Sequence, residues 1–327
     1  MTRSASDGAG HGEAVPRVGV SRCLLGDSVR YDAGHKRDRY VTGALARHVE
    51  LVAVCPEVEA GLGVPREAMH LEGDRTTPML ITTKTRRDLT KTMRSWASAK
   101  AEELARLELD GFVLKSKSPS CGLERVPVHR GVGAAPRPGR GLFASALLEA
   151  MPDVPAEEEG RLHDAALREN FVVRVFSHRR FRLAARRPRS RGALVDFHTR
   201  HKLLLLSRDE TAMRALGRLV AGASERDTDE LFVEYRGRFF DALTARPTPE
   251  RHTNVLQHIA GHLREVVGDW DRREIAAAIE RYRVGEAPLV VPLTLLRHHA
   301  DKHDIGYALS QVYLFPSPGE LLLQNRA

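Results

Sequence analysis

The sequence predicts two domains of different class: an α/β N-terminal domain on a mostly parallel sheet, then an all-α C-terminal domain. Three observations lead there. Short apolar runs at residues 18–20, 51–54 and 112–114 alternate with helix-period segments, which is the pattern of βαβ units. Beyond residue 178 every periodic segment has helical spacing and no strand signal appears. At 327 residues the chain has room for two cores, since a domain takes about 100–200 residues.

Residues 1–16 are rich in Gly, Ser and Ala and lack the apolar centre of a signal peptide, so a disordered tail is expected. The N-terminal domain is read as 17–178. Its first strand, 18–20, leads into the loop Ser21-Arg22-Cys23-Leu24-Leu25-Gly26, and 27–38 is polar and glycine-containing. A short helix at 42–48 precedes the strand 51–54, which runs into Cys55-Pro56-Glu57. The Gly-x-Gly at Gly61 and Gly63 lacks the third glycine and helix start of a dinucleotide loop. Residues 69–83 suggest a hairpin, and 89–109 a long helix burying Met93, Trp96, Leu104 and Leu107. After the strand 112–114 comes Lys115-Ser116-Lys117-Ser118-Pro119-Ser120-Cys121-Gly122, a turn-forming run. Residues 131–141 read as an exposed loop and 142–150 as a helix. Pro155 followed by Glu157, Glu158 and Glu159 reads as the entry to the next helix. The sheet these strands predict is Rossmann-like.

The C-terminal domain is read as 179–327. Leu194, Phe197, His201 and Leu204 share one helix face, with His201 a hydrogen-bonded core residue. Ser207 with Glu210 has capping-box spacing before Met213, Leu216 and Val220. Phe232, Tyr235 and Phe239 mark a third helix, and Val255, Ile259 and Leu263 a fourth. Asp271 with Glu274 would cap a fifth, and Pro292 would open a sixth through His303. His258 and His262 stand at metal-site spacing, but with no glutamate motif or cysteine nearby they read as surface, core or RNA-facing residues.

Charge and cysteine usage narrow the function. The net charge of +8 suits a polyanionic partner. Residues 1–178 carry 26 Lys+Arg against 24 Asp+Glu, whereas 179–327 carry 25 against 19, so most of the surplus lies in the second domain. Between Arg179 and Arg191 stand seven arginines and no acid, a candidate phosphate-binding patch formed by Arg179, Arg180, Arg182, Arg186 and Arg187, or else a solvated basic linker. No run has the length of a membrane span, and the expected location is the cytoplasm, where thiols stay reduced. Cys23, Cys55 and Cys121 are widely spaced, and each lies just past a candidate strand, where a parallel sheet binds its ligands. They could converge on one metal group, or be three separate buried thiols.

Residues 17–178 resemble the thiouracil desulfurase domain. The resemblance rests on Ser21-Arg22-Cys23-Leu24-Leu25-Gly26, Arg30-Tyr31-Asp32, Cys55-Pro56-Glu57, Gly61-Leu62-Gly63-Val64-Pro65-Arg66 and the run from Leu114 to Gly122. Residues 179–327 resemble the YbgA-like helical domain through His252-Thr253-Asn254-Val255-Leu256-Gln257-His258 and the stretch from Pro288 to His298. The fusion is similar to bacterial desulfidases acting on thiolated RNA. The resemblance implies a [4Fe-4S] cluster held by Cys23, Cys55 and Cys121, with one open iron that takes the sulfur of a thiolated pyrimidine. It implies 4-thiouridine in tRNA as substrate, small thiolated bases being the alternative. A third possibility is a nucleic-acid-binding protein whose cluster senses or clips. Water attack needs a base, for which Glu57 and then Asp32 are the candidates, with Ser118 beside them. Glu57 could instead orient its loop, and Asp32 could pair with Arg30 or Lys36. Arg30, Arg66, Ser116, Lys117 and Ser120 are the candidate substrate contacts.

Overall fold

The computed structural model describes residues 15–130, 135–186, 188–319 and 321. The expected tail lies almost wholly outside them, as does Arg187. The chain divides into two compact units between residues 171 and 172.

The first unit is built on a parallel sheet of β1 (Arg17–Ser21), β2 (Glu50–Val54), β5 (Gly111–Leu114) and β8 (Ala156–Glu158), in the spatial order β2-β1-β5-β8. Its register pairs Val18 with Leu51 on one side and Gly111 on the other. β5 is buried throughout, as a central parallel strand should be. Counted within this sheet the order is 2-1-3-4, the start of a doubly wound arrangement. Its topological switch point lies between β1 and β5, and the crevice beyond their carboxyl ends is where such sheets bind ligands.

The crossovers carry α1 (Arg39–Thr42), α2 (Pro56–Glu59), α3 (Thr90–Arg106) and α4 (Leu142–Ala150). α3 buries Met93 and Leu104 as its periodicity predicts, but Ala97 and Ala101 take the remaining core positions while Trp96 is half-buried and Leu107 exposed. A second sheet holds β3 (Met69–Glu72), β4 (Met79–Thr82), β6 (Val126–His129) and β7 (Arg137–Gly139), in the order β4-β3-β6-β7. β3 and β4 form the expected hairpin.

Two expectations are corrected here. Residues 137–139 are a short edge strand, not loop: Pro138 sits opposite Pro127, tolerable where few ladder donors are needed. The acidic run at 157–159 is not a helix entry either, because residues 156–158 pair parallel to β5 and the helix starts later, as α5 (Ala165–Ala184). Each acid has its own partner instead. Glu157 takes Arg161, Glu158 takes backbone N–H groups, and Glu159 takes Lys115.

The second unit is helical throughout its described residues. Beyond α5 come α6 (Arg191–Leu206), α7 (Glu210–Ala221), α8 (Thr228–Thr244), α9 (Pro249–Leu263), α10 (Asp269–Arg283), α11 (Val290–Lys302) and α12 (Gly306–Ser310). Asp209, rather than Ser207, caps α7, accepting from the Ala212 N–H, because Ser207 turns back to the Leu204 carbonyl at the end of α6. α10 is capped by Gly268, not Asp271. Phe181 packs at centroid distances of 5.3 to 6.3 Å against Phe197, Phe232, Tyr235, Phe239 and Phe240, forming the aromatic centre of this core. His201 is buried there, stacked on Phe197 and bonded to its carbonyl at 2.7 Å. Among the described residues no helix is long and apolar enough to cross a membrane.

Candidate active site

The three cysteines converge. Cys23 sits in the 3-10 turn Arg22–Leu25 at the end of β1, Cys55 follows β2 directly, and Cys121 lies in the loop after β5. All three are free, buried thiols lining one cavity of about 460 Å³. That cavity opens at the switch point, where topology alone would put a ligand.

Each thiol is held by its own local structure. Cys55 donates its backbone N–H to Glu59 Oε1 at 2.8 Å, and Lys100 of α3 reaches Glu59 Oε2 at 3.1 Å. The loop carrying Cys121 is wound on itself: Ser118 Oγ accepts from the Cys121 N–H at 3.1 Å, and the Gly122 N–H donates to the Ser118 carbonyl. The start of α4 presses on this loop, its Leu142 and Ala144 N–H groups donating to the carbonyls of Pro119 and Ser120. A Cβ at Gly141 would stand 2.4 Å from the Ser120 carbonyl oxygen, so only glycine permits that approach. At the loop's entry Glu159 accepts from the Ser116 N–H at 2.7 Å, from Ser116 Oγ at 2.8 Å and from Lys115 Nζ. At its exit Glu158 accepts from the Leu123 N–H at 2.9 Å. The end of β8 therefore clamps both ends of the third cysteine's loop.

Glu57 is the carboxylate of the cavity, 8% exposed. Ser118 Oγ donates to its Oε1 at 3.4 Å, and Arg66 approaches Oε2 at 3.8 Å. The Cys55 sulfur is 3.6 Å from the same Oε2. Burial, reinforced by the Glu57 carboxylate, pushes the Cys23 thiol up to about 11 and Cys55 up to about 12, and raises Cys121 well above its ordinary value. Lys115 and Arg30 pull Cys23 back only in part. The thiols are therefore protonated at neutral pH, and a metal group would supply the positive charge that makes them thiolates.

The donor set on this cavity is three thiols. Among the described residues no group of three or more His, Cys, Asp or Glu is close enough to hold one metal ion, His258 and His262 included. Three soft sulfur donors around one cavity suit an iron–sulfur group, whose several irons each take a separate ligand. The neighbourhood also contains two buried donors without hydrogen-bond partners, Arg66 Nε and Ser120 Oγ, whereas Arg30 Nε lies 3.5 Å from Asp32 Oδ1, the pairing foreseen for Asp32.

Of the residues expected from sequence, Glu57, Ser118, Arg30, Arg66, Ser116 and Lys117 line the cavity with the cysteines. Asp32 and Ser120 do not. Asp32 is exposed, its carboxyl lowered chiefly by the Gly34 N–H it accepts at 3.1 Å. Ser120 is fully buried behind the cysteine loop. The arginine run is divided. Arg179 is 6% exposed, Arg180 donates to the Pro316 carbonyl at 2.8 Å, Arg182 is half-buried and Arg186 is exposed. Sequence reasoning missed Ser21 as a cavity residue and Glu159 as the partner of Lys115, and it placed Tyr31 and Lys36 in a function-bearing loop without giving either a role. Tyr31 was legible only as part of a motif, and Glu159 was hidden by the resemblance of its acidic run to a helix start.

The 2-thiouracil desulfurase family matches residues 18–159, and DUF1722, a family of unknown function, matches residues 202–318. YbgA of Escherichia coli strain K12 is 32% identical over 146 residues, spanning 44% of this chain and 86% of YbgA. YbbK of Bacillus subtilis strain 168 is 29% identical over 108 residues, 32% of this chain and 71% of YbbK. The solved [4Fe-4S]-dependent thiouracil desulfidase TudS is 28% identical over 45% of this chain and 93% of its own, with a TM-score of 0.39. The chain belongs to the YbgA family, DUF1722, through its helical unit, and its α/β unit matches the 2-thiouracil desulfurase family over residues 18–159.

Proposed function

We propose that this protein removes sulfur from a thiolated pyrimidine without net redox change, its preferred substrate being 4-thiouridine in cytoplasmic tRNA and its products uridine and sulfide. The observation that carries this reading is the convergence of three free thiols and one buried carboxylate on a single cavity at the switch point of the sheet. Cys23, Cys55 and Cys121 would hold a [4Fe-4S] cofactor, which when bound supplies an iron with an open position that polarises a thiocarbonyl sulfur. Exchange of C=S for C=O consumes one water and releases hydrogen sulfide, so no electron carrier is needed. As water adds to the ring carbon it gives up a proton. Glu57 is the base that takes it, kept in place by Ser118 on one oxygen and Arg66 on the other.

The lining supports an anionic substrate. Of its cationic side chains, Arg22 pairs with Asp27, Arg30 with Asp32, Lys115 with Glu159 and Arg66 with Glu57, and Lys36 and Lys117 complete the set. Lys36 and Lys117 are exposed at this cavity, where the phosphates flanking a thiobase would find them. The basic helical unit would bind the rest of the RNA. A second reading, free 2-thiouracil as substrate, is favoured by the engagement of Arg179 and Arg180 within the fold, which weakens the arginine run as a phosphate patch.

The test is anaerobic reconstitution with iron and sulfide, then incubation with 4-thiouridine-containing tRNA or with free 2-thiouracil, following thiobase absorbance and released sulfide. Sulfide from tRNA, inhibited by salt, is the expected result. Turnover of 2-thiouracil alone selects the second reading. An intact cluster with no sulfide from either substrate overturns the enzyme assignment in favour of a sensing or structural cluster.

A further inference from the structure

We propose that Tyr31 is the stacking platform for the pyrimidine ring, an inference that rests on the desulfuration reading for the identity of the ligand. Tyr31 is the one aromatic side chain among the described residues that line the cavity, and it is 43% exposed. It sits at the tip of a tight turn, closed by the Ala33 N–H donating to the Arg30 carbonyl at 3.0 Å, with Ala33 in the left-handed region at φ 53°. An aromatic ring on a loose loop would simply fold against the protein. This loop is fastened on both sides of the ring. The Arg66 N–H donates to the Tyr31 carbonyl at 3.0 Å, and Arg66 Nη1 donates to the Val29 carbonyl at 3.0 Å. The Arg30 guanidinium stands 5.4 Å from the ring centroid, leaving the rest of the ring to solvent.

The chemistry of the ligand explains the arrangement. A thiolated pyrimidine is flat and polarisable, and the other cavity groups are cations, hydroxyls, thiols, one carboxylate and aliphatic side chains. Hydrogen bonds to its edge fix the ring in its own plane but leave it free to tilt. A π surface against its face removes that freedom and adds affinity for the ring that ground state and transition state share. Arg66 thus has two positioning tasks: it steadies Glu57 through Nη2 and the Tyr31 turn through its backbone and Nη1.

The experiment compares wild type, Tyr31→Ala and Tyr31→Phe in the reconstituted full chain, with iron content checked in each. Two quantities are read: KM and kcat for 4-thiouridine, and the Kd of uridine by calorimetry, which needs no turnover. A base–aromatic stack predicts that Tyr31→Ala raises both KM and Kd by about 5- to 150-fold with kcat changed little, and that Tyr31→Phe stays within about twofold of wild type. Unchanged Kd in Tyr31→Ala, an equal loss in Tyr31→Phe, or no uridine binding by wild type overturns the platform. Wild type that binds uridine in a Tyr31-dependent way but releases no sulfide keeps the platform and overturns the reaction.

Discussion

The two units bury polar groups for opposite ends. In the α/β unit, Glu57, Glu158 and Glu159 are drawn inward so that a loop and a cavity keep one shape, and the hydrophobic core serves as backing for three strand ends. In the helical unit, the buried histidines are packing elements. His198 meets the Tyr235 hydroxyl at 3.0 Å, His252 meets Tyr313 at 2.7 Å, and His201 stacks on Phe197. Burial lowers the pKa of all three, so they are kept neutral within an aromatic and aliphatic core. A buried ionisable group marks reactivity only where it faces a cavity shared with other such groups.

The comparison breaks most visibly at the cysteines. Replacing Cys23, Cys55 or Cys121 by Ala is expected to reduce iron retention and take sulfide release to background while leaving unfolding of the helical unit unchanged. Iron analysis and denaturation followed by circular dichroism check both halves. Next in size, Glu57→Gln should lower kcat by about 10²- to 10⁴-fold, the span of a lost general base, with iron content intact. An unchanged kcat would reduce Glu57 to a loop-orienting residue.

Phe239→Ala, at the aromatic centre of the helical unit, should cost about 3–5 kcal/mol in denaturant titrations. Turnover of a small thiobase per folded molecule should not change, and a fall there would show that the helical core also shapes the cavity. The smallest effect is acid sensitivity. The folded-state pKa of His252, about 4, lies below the usual 6.5, so an unfolded chain binds the extra proton between them. Stability from this group is complete above about pH 6.5 and declines as pH falls toward 4, by at most about 1.4 kcal/mol per pH unit. Guanidinium unfolding at pH 7.5 and 5.5 should reveal the loss, and His252→Gln should reduce it.

Much of this was legible in the sequence, for identifiable reasons. Short apolar runs located the parallel strands, because a strand covered on both faces is apolar throughout, and a 3.6-residue repeat located the helices, because burial on one face leaves one. Three cysteines placed past three strands anticipated the cavity, since a parallel sheet fixes which strand ends face the crevice. What stayed hidden depended on partners distant along the chain. Glu157, Glu158 and Glu159 look like a helix entry locally, and only pairing with β5 makes them a strand end. Tyr31 looks like one residue of a polar loop until Arg66, 35 positions on, fastens it at the cavity. Arg179 and Arg180 look like surface charge until α5 turns them inward.

The strand order also sets the timetable of maturation. Cys23, Cys55 and Cys121 become neighbours only after β1 has paired with β2 on one side and with β5 on the other. A nascent chain that has not yet exposed β5 presents two of the three thiols, so the full set exists only in a sheet already formed. Once the sheet has formed, the thiols stay in their protonated form, because the burial that raises their pKa withholds the thiolate that oxidants attack. Burial is in this way the thiols' own protection in the folded chain.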